Sequence, residues 1–265
     1  MSLWKIRRPI PPARIWLLGA LPIVLSLGLW YLLTHGAAED RVLSPVILPS
    51  PGEVLGSFPS LWFERALSRS LITSFLRVLV GFAVGALVAV PLGIFMASFE
   101  SVRAAFRPLT TVFGYLPIPT LVPLTLSLFG TGELQKVMFL AIAFFVYLIP
   151  LVVKAIDDVD SVYLQTAFTL GASAPQAVRR VLVAIAWPDI FQALRNGFGV
   201  GWGYILLAEM VAAETGLGNI IITSQRRGPR EHIYLVLVVI TLVAFLTDRA
   251  WGWAGRRFFP YREAK

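Results

Sequence analysis

Six stretches of this chain are apolar for about 20 residues each, and that repetition constrains the fold more than any other feature. They run from Ile15 to Leu33, Leu76 to Phe99, Pro108 to Phe129, Lys136 to Ile156, Ile190 to Ala213 and His232 to Trp251. At about 1.5 Å of rise per residue, each can cross a hydrocarbon core about 30 Å thick as an α-helix. Within lipid the backbone must bond to itself, which leaves an all-α membrane protein with about six transmembrane helices. Composition agrees: 57% of residues are hydrophobic and only 14% charged, where soluble domains carry about a quarter. The mean hydropathy is +0.76.

The formal charge of +8 could indicate a nucleic-acid partner, but the basic residues flank the apolar spans, as topology in a bilayer requires. The first span follows Lys5, Arg7, Arg8 and Arg14 and precedes Gly36-Ala37-Ala38, the order of parts in a signal peptide. Its length suits a retained span better than a cleaved signal core. There is no cysteine, which excludes disulfides and thiolate metal sites. His35 and His232 stand far apart in sequence, and no metal site is expected. Asp157, Asp158 and Asp160 form a solvated acidic turn in which Asp160-Ser161 caps a helix. No phosphate-binding loop, nucleophile elbow or His-Glu-x-x-His pair occurs. The expected catalytic set is therefore empty, and the chain is not an enzyme by itself.

Residues 36–50 read as a linker. Ser50-Pro51-Gly52-Glu53 then offers a cap, a first-turn proline and a capping glutamate for a helix carrying Val54, Leu55, Phe58, Leu61, Trp62 and Leu67. Interrupted by Glu64, Arg65 and Arg69, it is expected on the outer surface with Trp62 at headgroup depth. In the second span Gly81, Gly85, Ala89 and Gly93 recur at four-residue steps, a face against which another helix can pack closely. Pro91 is expected to kink that span. A short loop holding Glu100, Arg103 and Arg107 leads to the third span, where Pro117, Pro119 and Pro123 near Gly114 free carbonyls at membrane depth. A span broken this way is expected to line a cavity or pathway. In the fifth span Gly197, Gly199, Gly201 and Gly203 alternate around Trp202, tolerable only where neighbours pack on the backbone or the helix bends. Gly216-Leu217-Gly218 and a basic loop of Arg226, Arg227 and Arg230 precede the sixth span.

Between spans four and five lies Gln165–Pro188, too polar for hydrocarbon. Its first half closes at Gly171. Its second half restarts at once, with Ser173 as cap, Pro175 in the first turn and Gln176 completing a capping box. Two short helices meeting at a corner are expected outside the membrane. About 15 of the 23 lysines and arginines fall on the side holding the corner and both termini, which places that side in the cytoplasm. Three regions follow: residues 1–75 with the first span, linker and interfacial helix; a core of 76–251 containing the corner at 157–189; and a basic tail, 252–265.

Gln165-Thr166-Ala167-x-x-x-Gly171, followed by Pro188, resembles the EAA loop of bacterial ABC importer permeases. The stretch TAFTLGAS at 166–173, with Arg179-Arg180-Val181, is similar to the nitrate/sulfonate/taurine/bicarbonate branch. So are Leu48-Pro49-Ser50-Pro51, Arg77-Val78-Leu79-x-Gly81-Phe82, and Glu209 with Gly216-Leu217-Gly218. The chain departs from the pattern at Gln165, where a glutamate is usual, at Thr166, where an alanine is usual, and at Ala184, where a proline is frequent.

The resemblance implies a type I ABC importer permease fold whose corner docks on a separate ATPase through Gln165, Thr166, Ala167, Leu170, Gly171, Ala172, Ser173, Arg179 and Pro188. It implies a second copy of the chain, two ABC ATPases carrying ATP and Mg, and an external substrate-binding protein. It also implies a bacterial inner-membrane location and import of a small anion by alternating access, with no cofactor bound by this chain. Arg77, Tyr115, Thr125, Ser127, Asn196, Trp202, Tyr204 and Glu209 are candidates for the translocation path. Arg77 and Glu209 could instead pair to hold spans two and five together. The alternative, a stand-alone secondary transporter or channel, calls for inverted repeats and paired intramembrane charges; the sequence displays neither.

Overall fold

A computed structural model describes residues 11–262; the basic residues Lys5, Arg7, Arg8 and Lys265 lie outside them. Among the described residues, four helices are long and apolar enough to cross a membrane: α1 (Pro12–Thr34), α4 (Leu67–Ser98), α7 (Glu133–Asp157) and α12 (Arg230–Phe258). Two bent pairs complete the set. The first joins α5 (Glu100–Gly114) to α6 (Leu121–Phe129) through an 88° break, and the second joins the helical run ending in α10 (Val183–Ala212) to α11 (Leu217–Arg227) through 52°. Counting each bent pair as one span gives the six expected.

The first break has a clear cause. Pro117 and Pro119 cannot donate, so the chain turns through a 3-10 step at Ile118–Thr120. Tyr115 N–H and Leu116 N–H donate back to Val112 and Phe113 carbonyls, both at 3.1 Å. Residues 100–107, expected as a loop, are instead the first half of α5. A strongly amphipathic pattern from Glu100 lets them run along the protein as helix. Pro91 does not end α4, which continues through it for 32 residues in all.

The expected outer helix is two short ones, α2 (Pro51–Gly56) and α3 (Phe58–Phe63). Ser50 and Glu53 form the reciprocal capping box, with Ser50 N–H donating to Glu53 Oε2 at 2.7 Å and Glu53 N–H to Ser50 Oγ at 3.3 Å. Arg41 also grips the Glu53 carboxylate with two hydrogen bonds, 3.0 and 2.9 Å. The Arg41 bonds and the backbone N–H hold the Glu53 pKa down to about 2. Ala66, left-handed at φ 48°, redirects the chain. Leu67, expected at the end of the outer helix, therefore begins α4, nine residues before the expected start of span two. Val54, Leu61 and Leu67 bury together with Leu217 and Val236 beneath this corner.

The core is α7 clasped between α4 and α10. The small-residue face of α4 meets α7 directly: a Cβ on Gly81 would fall 2.5 Å from Leu140 Cβ, and one on Gly85 2.7 Å from the Ala141 carbonyl oxygen. On the opposite side Gly197 faces Leu148 and Gly201 faces Phe144. Gly199 and Gly203 have open space, so the alternation separates a packed face from a free one. Phe82 sits edge-on to Phe144 and Phe198, with ring centroids 5.2 and 5.3 Å apart. By contrast α1 lies apart, largely exposed; Trp30 donates its indole N–H to the Pro49 carbonyl at 2.9 Å.

Candidate functional site: the corner, the broken span and a buried charge cluster

Asp160 opens the corner by accepting the Val162 N–H at 2.9 Å, which caps α8 (Ser161–Thr169). The helix closes in a Schellman turn: Gly171 adopts φ 81°, its N–H donates to the Phe168 carbonyl at 2.9 Å, and Ala172 N–H donates to the Ala167 carbonyl at 3.0 Å. The chain restarts immediately, with the Gln176 side chain accepting from Ser173 N–H at 2.9 Å. From α9 (Ala174–Ala177) the backbone passes through one π-helical turn, Val178–Leu182, straight into α10. The corner is thus the end of a helical run from Ala174 to Ala212, about 60 Å long at the rise of an α-helix.

Apolar contacts seat the corner on the end of α7. Leu182, Ala186 and Ile190 bury against Val152, Ala155 and Ile156. Arg103 strengthens the same end by donating to Asp157 Oδ1 at 2.5 Å and to the Met96 carbonyl at 3.1 Å. Of the coupling residues, Gln165, Thr166, Gly171, Ser173 and Arg179 are exposed, and Ala167 and Ala172 are half-buried. Leu170 is 82% exposed, and Val162, Tyr163 and Phe168 are each more than half exposed. Pro188, by contrast, is buried in α10. A polar-side corner with this much apolar surface has the composition of a docking patch.

The far end of the same helical run carries Glu209, wholly buried and accepting from Arg77 Nη1 at 2.7 Å, from Ser74 Oγ at 2.8 Å and from Gly218 N–H at 2.9 Å. Arg77, 3% exposed, also donates through Nε to Glu133 Oε2 at 2.7 Å, through Nη2 to Glu133 Oε1 and Thr215 Oγ1, and through Nη1 to the Thr215 carbonyl. All five guanidinium donors are engaged. Gly216, at φ 116°, is needed because a Cβ there would strike the Glu209 carboxylate. The cluster ties α4, α7, α10 and the α10–α11 turn at one end of the bundle. Glu133 and Thr215 were not among the sequence candidates: Glu133 reads as a turn residue, and nothing local pairs it with Arg77 56 positions away.

The remaining path candidates divide. At the break between α5 and α6, Tyr204 meets Gly114, Pro119, Tyr147 and Pro150 around a cleft of about 370 Å³, with Tyr115 beside it and 85% exposed. Asn196 and Gln192 bond to each other at 3.0 Å on the exposed face of α10 that also carries Gly199 and Gly203. Ser127 is exposed on α6 but spends its hydroxyl on the Pro123 carbonyl. Thr125 is buried, donating to the Leu121 carbonyl and accepting from Gln135. Trp202 is buried against α12, its indole N–H 3.3 Å from Thr247 Oγ1. The basic residues Arg226 and Arg227, expected in a loop, form the last turn of α11.

Comparison with known proteins agrees with this architecture. Residues 89–259 match the family described as "Binding-protein-dependent transport system inner membrane component". The taurine transport system permease protein TauC of Escherichia coli is 28% identical over 97% of this chain and 92% of its own length. The nitrate import permease protein NrtB of Synechocystis is 26% identical over 87% of this chain and 84% of its own. Among solved structures, the MetNI methionine ABC transporter in an inward-facing conformation superposes with a TM-score of 0.66 at 20% identity. That match covers 75% of this chain and 97% of the other, and it shows the type I importer permease fold. The chain belongs to the family of inner-membrane components of binding-protein-dependent transport systems, as an ABC importer permease.

Proposed function

We propose that this permease works as a pair of identical subunits with two separate ABC ATPases below and an external binding protein above, importing a small anion of the nitrate, sulfonate, taurine or bicarbonate kind. ATP and Mg act on the ATPases, and this chain holds no cofactor. The corner and both termini face the cytoplasm, in accord with the excess of lysine and arginine on that side. The observation that carries this reading is the exposed corner, continuous with α10. A displacement of α8 and α9 by an ATPase travels along one rigid helical run to Glu209 and the charge cluster at the opposite end. The pathway runs past the broken span, with Tyr115 and Tyr204 at the cleft and Asn196 on the open face of α10. Arg77 and Glu209 hold the outer end together, because no donor of Arg77 is spare for substrate. Residues 76–251 make up most of the transport core, which also takes in the start of α4 from Leu67 and the end of α12 to Phe258. The peripheral part of 1–75 therefore ends before Leu67, and the tail within 252–265 begins after Phe258.

The test is uptake of labelled taurine, nitrate and bicarbonate by cells expressing the permease with its binding protein and ATPase. Uptake of one of these, lost in a Leu170→Asp variant that still reaches the membrane, is the expected result. Unchanged uptake in that variant would remove the corner from the mechanism.

A further inference from the structure

At the corner's end of the bundle, α10 and α12 part to leave a cleft of about 230 Å³. Its walls are aromatic: Phe191 lies 5.1 Å from Trp251 and 5.5 Å from Phe259, centroid to centroid. Its floor depends on two glycines of α12. A Cβ on Gly252 would lie 3.4 Å from the Arg195 guanidinium, and one on Gly255 would lie 3.2 Å from the Phe191 ring. Two arginines line the opening. Arg195 is held by Asp248 through two 2.6 Å bonds, so its charge is balanced while its position is fixed. Arg256 is exposed and, among the described residues, has no ion-pair partner; Arg257 follows it. Towards the middle of the span, α12 presents exposed Phe245 and Leu246. Further out, Phe258 and Tyr261 are 65% exposed, an aromatic girdle of the kind that marks headgroup depth.

We propose that this cleft binds the phosphate headgroup of an anionic phospholipid. Arg256 supplies the uncompensated charge, the aromatic walls receive the glycerol region, and an acyl chain lies along the exposed apolar side of α12. A guanidinium matches phosphate with parallel hydrogen bonds, and basic pockets between spans at the membrane surface select anionic headgroups. A soluble anion would have no use for the apolar surface that continues inward from the cleft. The site shares Pro188 with the corner but is otherwise distinct from it, from the broken span and from the Arg77 cluster, and none of those uses Arg256 or Gly255.

Native mass spectrometry of the full-length permease, extracted in mild detergent and exposed to phosphatidylglycerol or phosphatidylcholine, tests the assignment. Wild type is expected to retain phosphatidylglycerol in preference to phosphatidylcholine. Arg256→Gln should weaken that retention about fivefold, the worth of one basic side chain at a membrane surface. Gly255→Leu should abolish it by filling the cleft. Arg257→Gln, changing the neighbouring charge outside the cleft, should retain lipid like wild type, and millimolar inorganic phosphate should not displace it. Equal retention in all variants would overturn the proposal. So would an equal loss in Arg257→Gln, which indicates diffuse charge attraction, or displacement by inorganic phosphate, which indicates a site for the free anion.

Discussion

Arg77 shows how much a single side chain can organise in this bundle. Its two carboxylate partners come from different helices; removing Arg77 leaves Glu209 buried without a cation, and removing Glu209 leaves Arg77 with Glu133 alone. Breaking such a pair typically costs about 3–5 kcal/mol. Arg77→Ala and Glu209→Ala should each lower the thermal midpoint strongly, and the double variant should be less destabilised than the two losses added; additive losses would show that the residues do not act as a pair. Glycines give a second contrast. Gly85→Ala drives a methyl group into the Ala141 carbonyl and should cost about 1–3 kcal/mol by overpacking. Gly199→Ala enters open space and should leave stability unchanged or raised by up to about 1 kcal/mol. Outside the spans, Glu53 provides a pH signature. Its pKa falls from 4.5 to about 2 on folding, so its pair with Arg41 contributes fully above about pH 4.5 and is lost as pH drops towards 2. The stability gap between wild type and Glu53→Gln should close over that window; a gap unchanged between pH 5 and pH 2.5 would show that the pair contributes nothing.

At the scale of elements, what is local in sequence is legible and what is distant is not. The corner can be read residue by residue, because Asp160, Gly171, Ser173 and Gln176 set its caps within a few positions of one another. The break of the third span is equally visible in its prolines, as is the packing face of α4 in its four-residue glycine steps. Three features escape. The π-helical turn at Val178–Leu182 has no marker in composition, so the continuity of α9 with α10 appears only in the fold. The left-handed turn at Ala66 violates the local preference for glycine and moves the start of α4. The engagement of Arg77 with Glu133 depends on helices packing across the bundle. Gly171 offers the sharpest test of an element. A β-branched residue at φ 81° is strained by about 1–2 kcal/mol, so Gly171→Val should open the Schellman turn. Hydrogen exchange of the Gly171–Ala172 segment should accelerate while that of α7 stays slow; equal protection in both proteins would mean that the turn does not depend on glycine.

Across the whole molecule, two closely packed regions are linked by one long helix. The cluster at Arg77 locks α4, α7, α10 and α11 at one end, the Leu182–Ile190 contacts fix α7 and α10 at the other, and α10 joins them. In the proposed mechanism the corner would move α10 as a body and so carry a partner's motion to the opposite end of the bundle. The broken α5–α6 span and the open α10 face border the cleft that this proposed motion would open and close. The most direct test is co-purification and coupled uptake with a separate P-loop ATPase, comparing wild type with Phe168→Asp/Leu170→Asp at equal membrane abundance. The ATPase is expected to purify with the wild-type permease and to drive uptake, and both are expected to be lost in the variant. An ATPase still bound to the variant, with uptake unchanged, would contradict it.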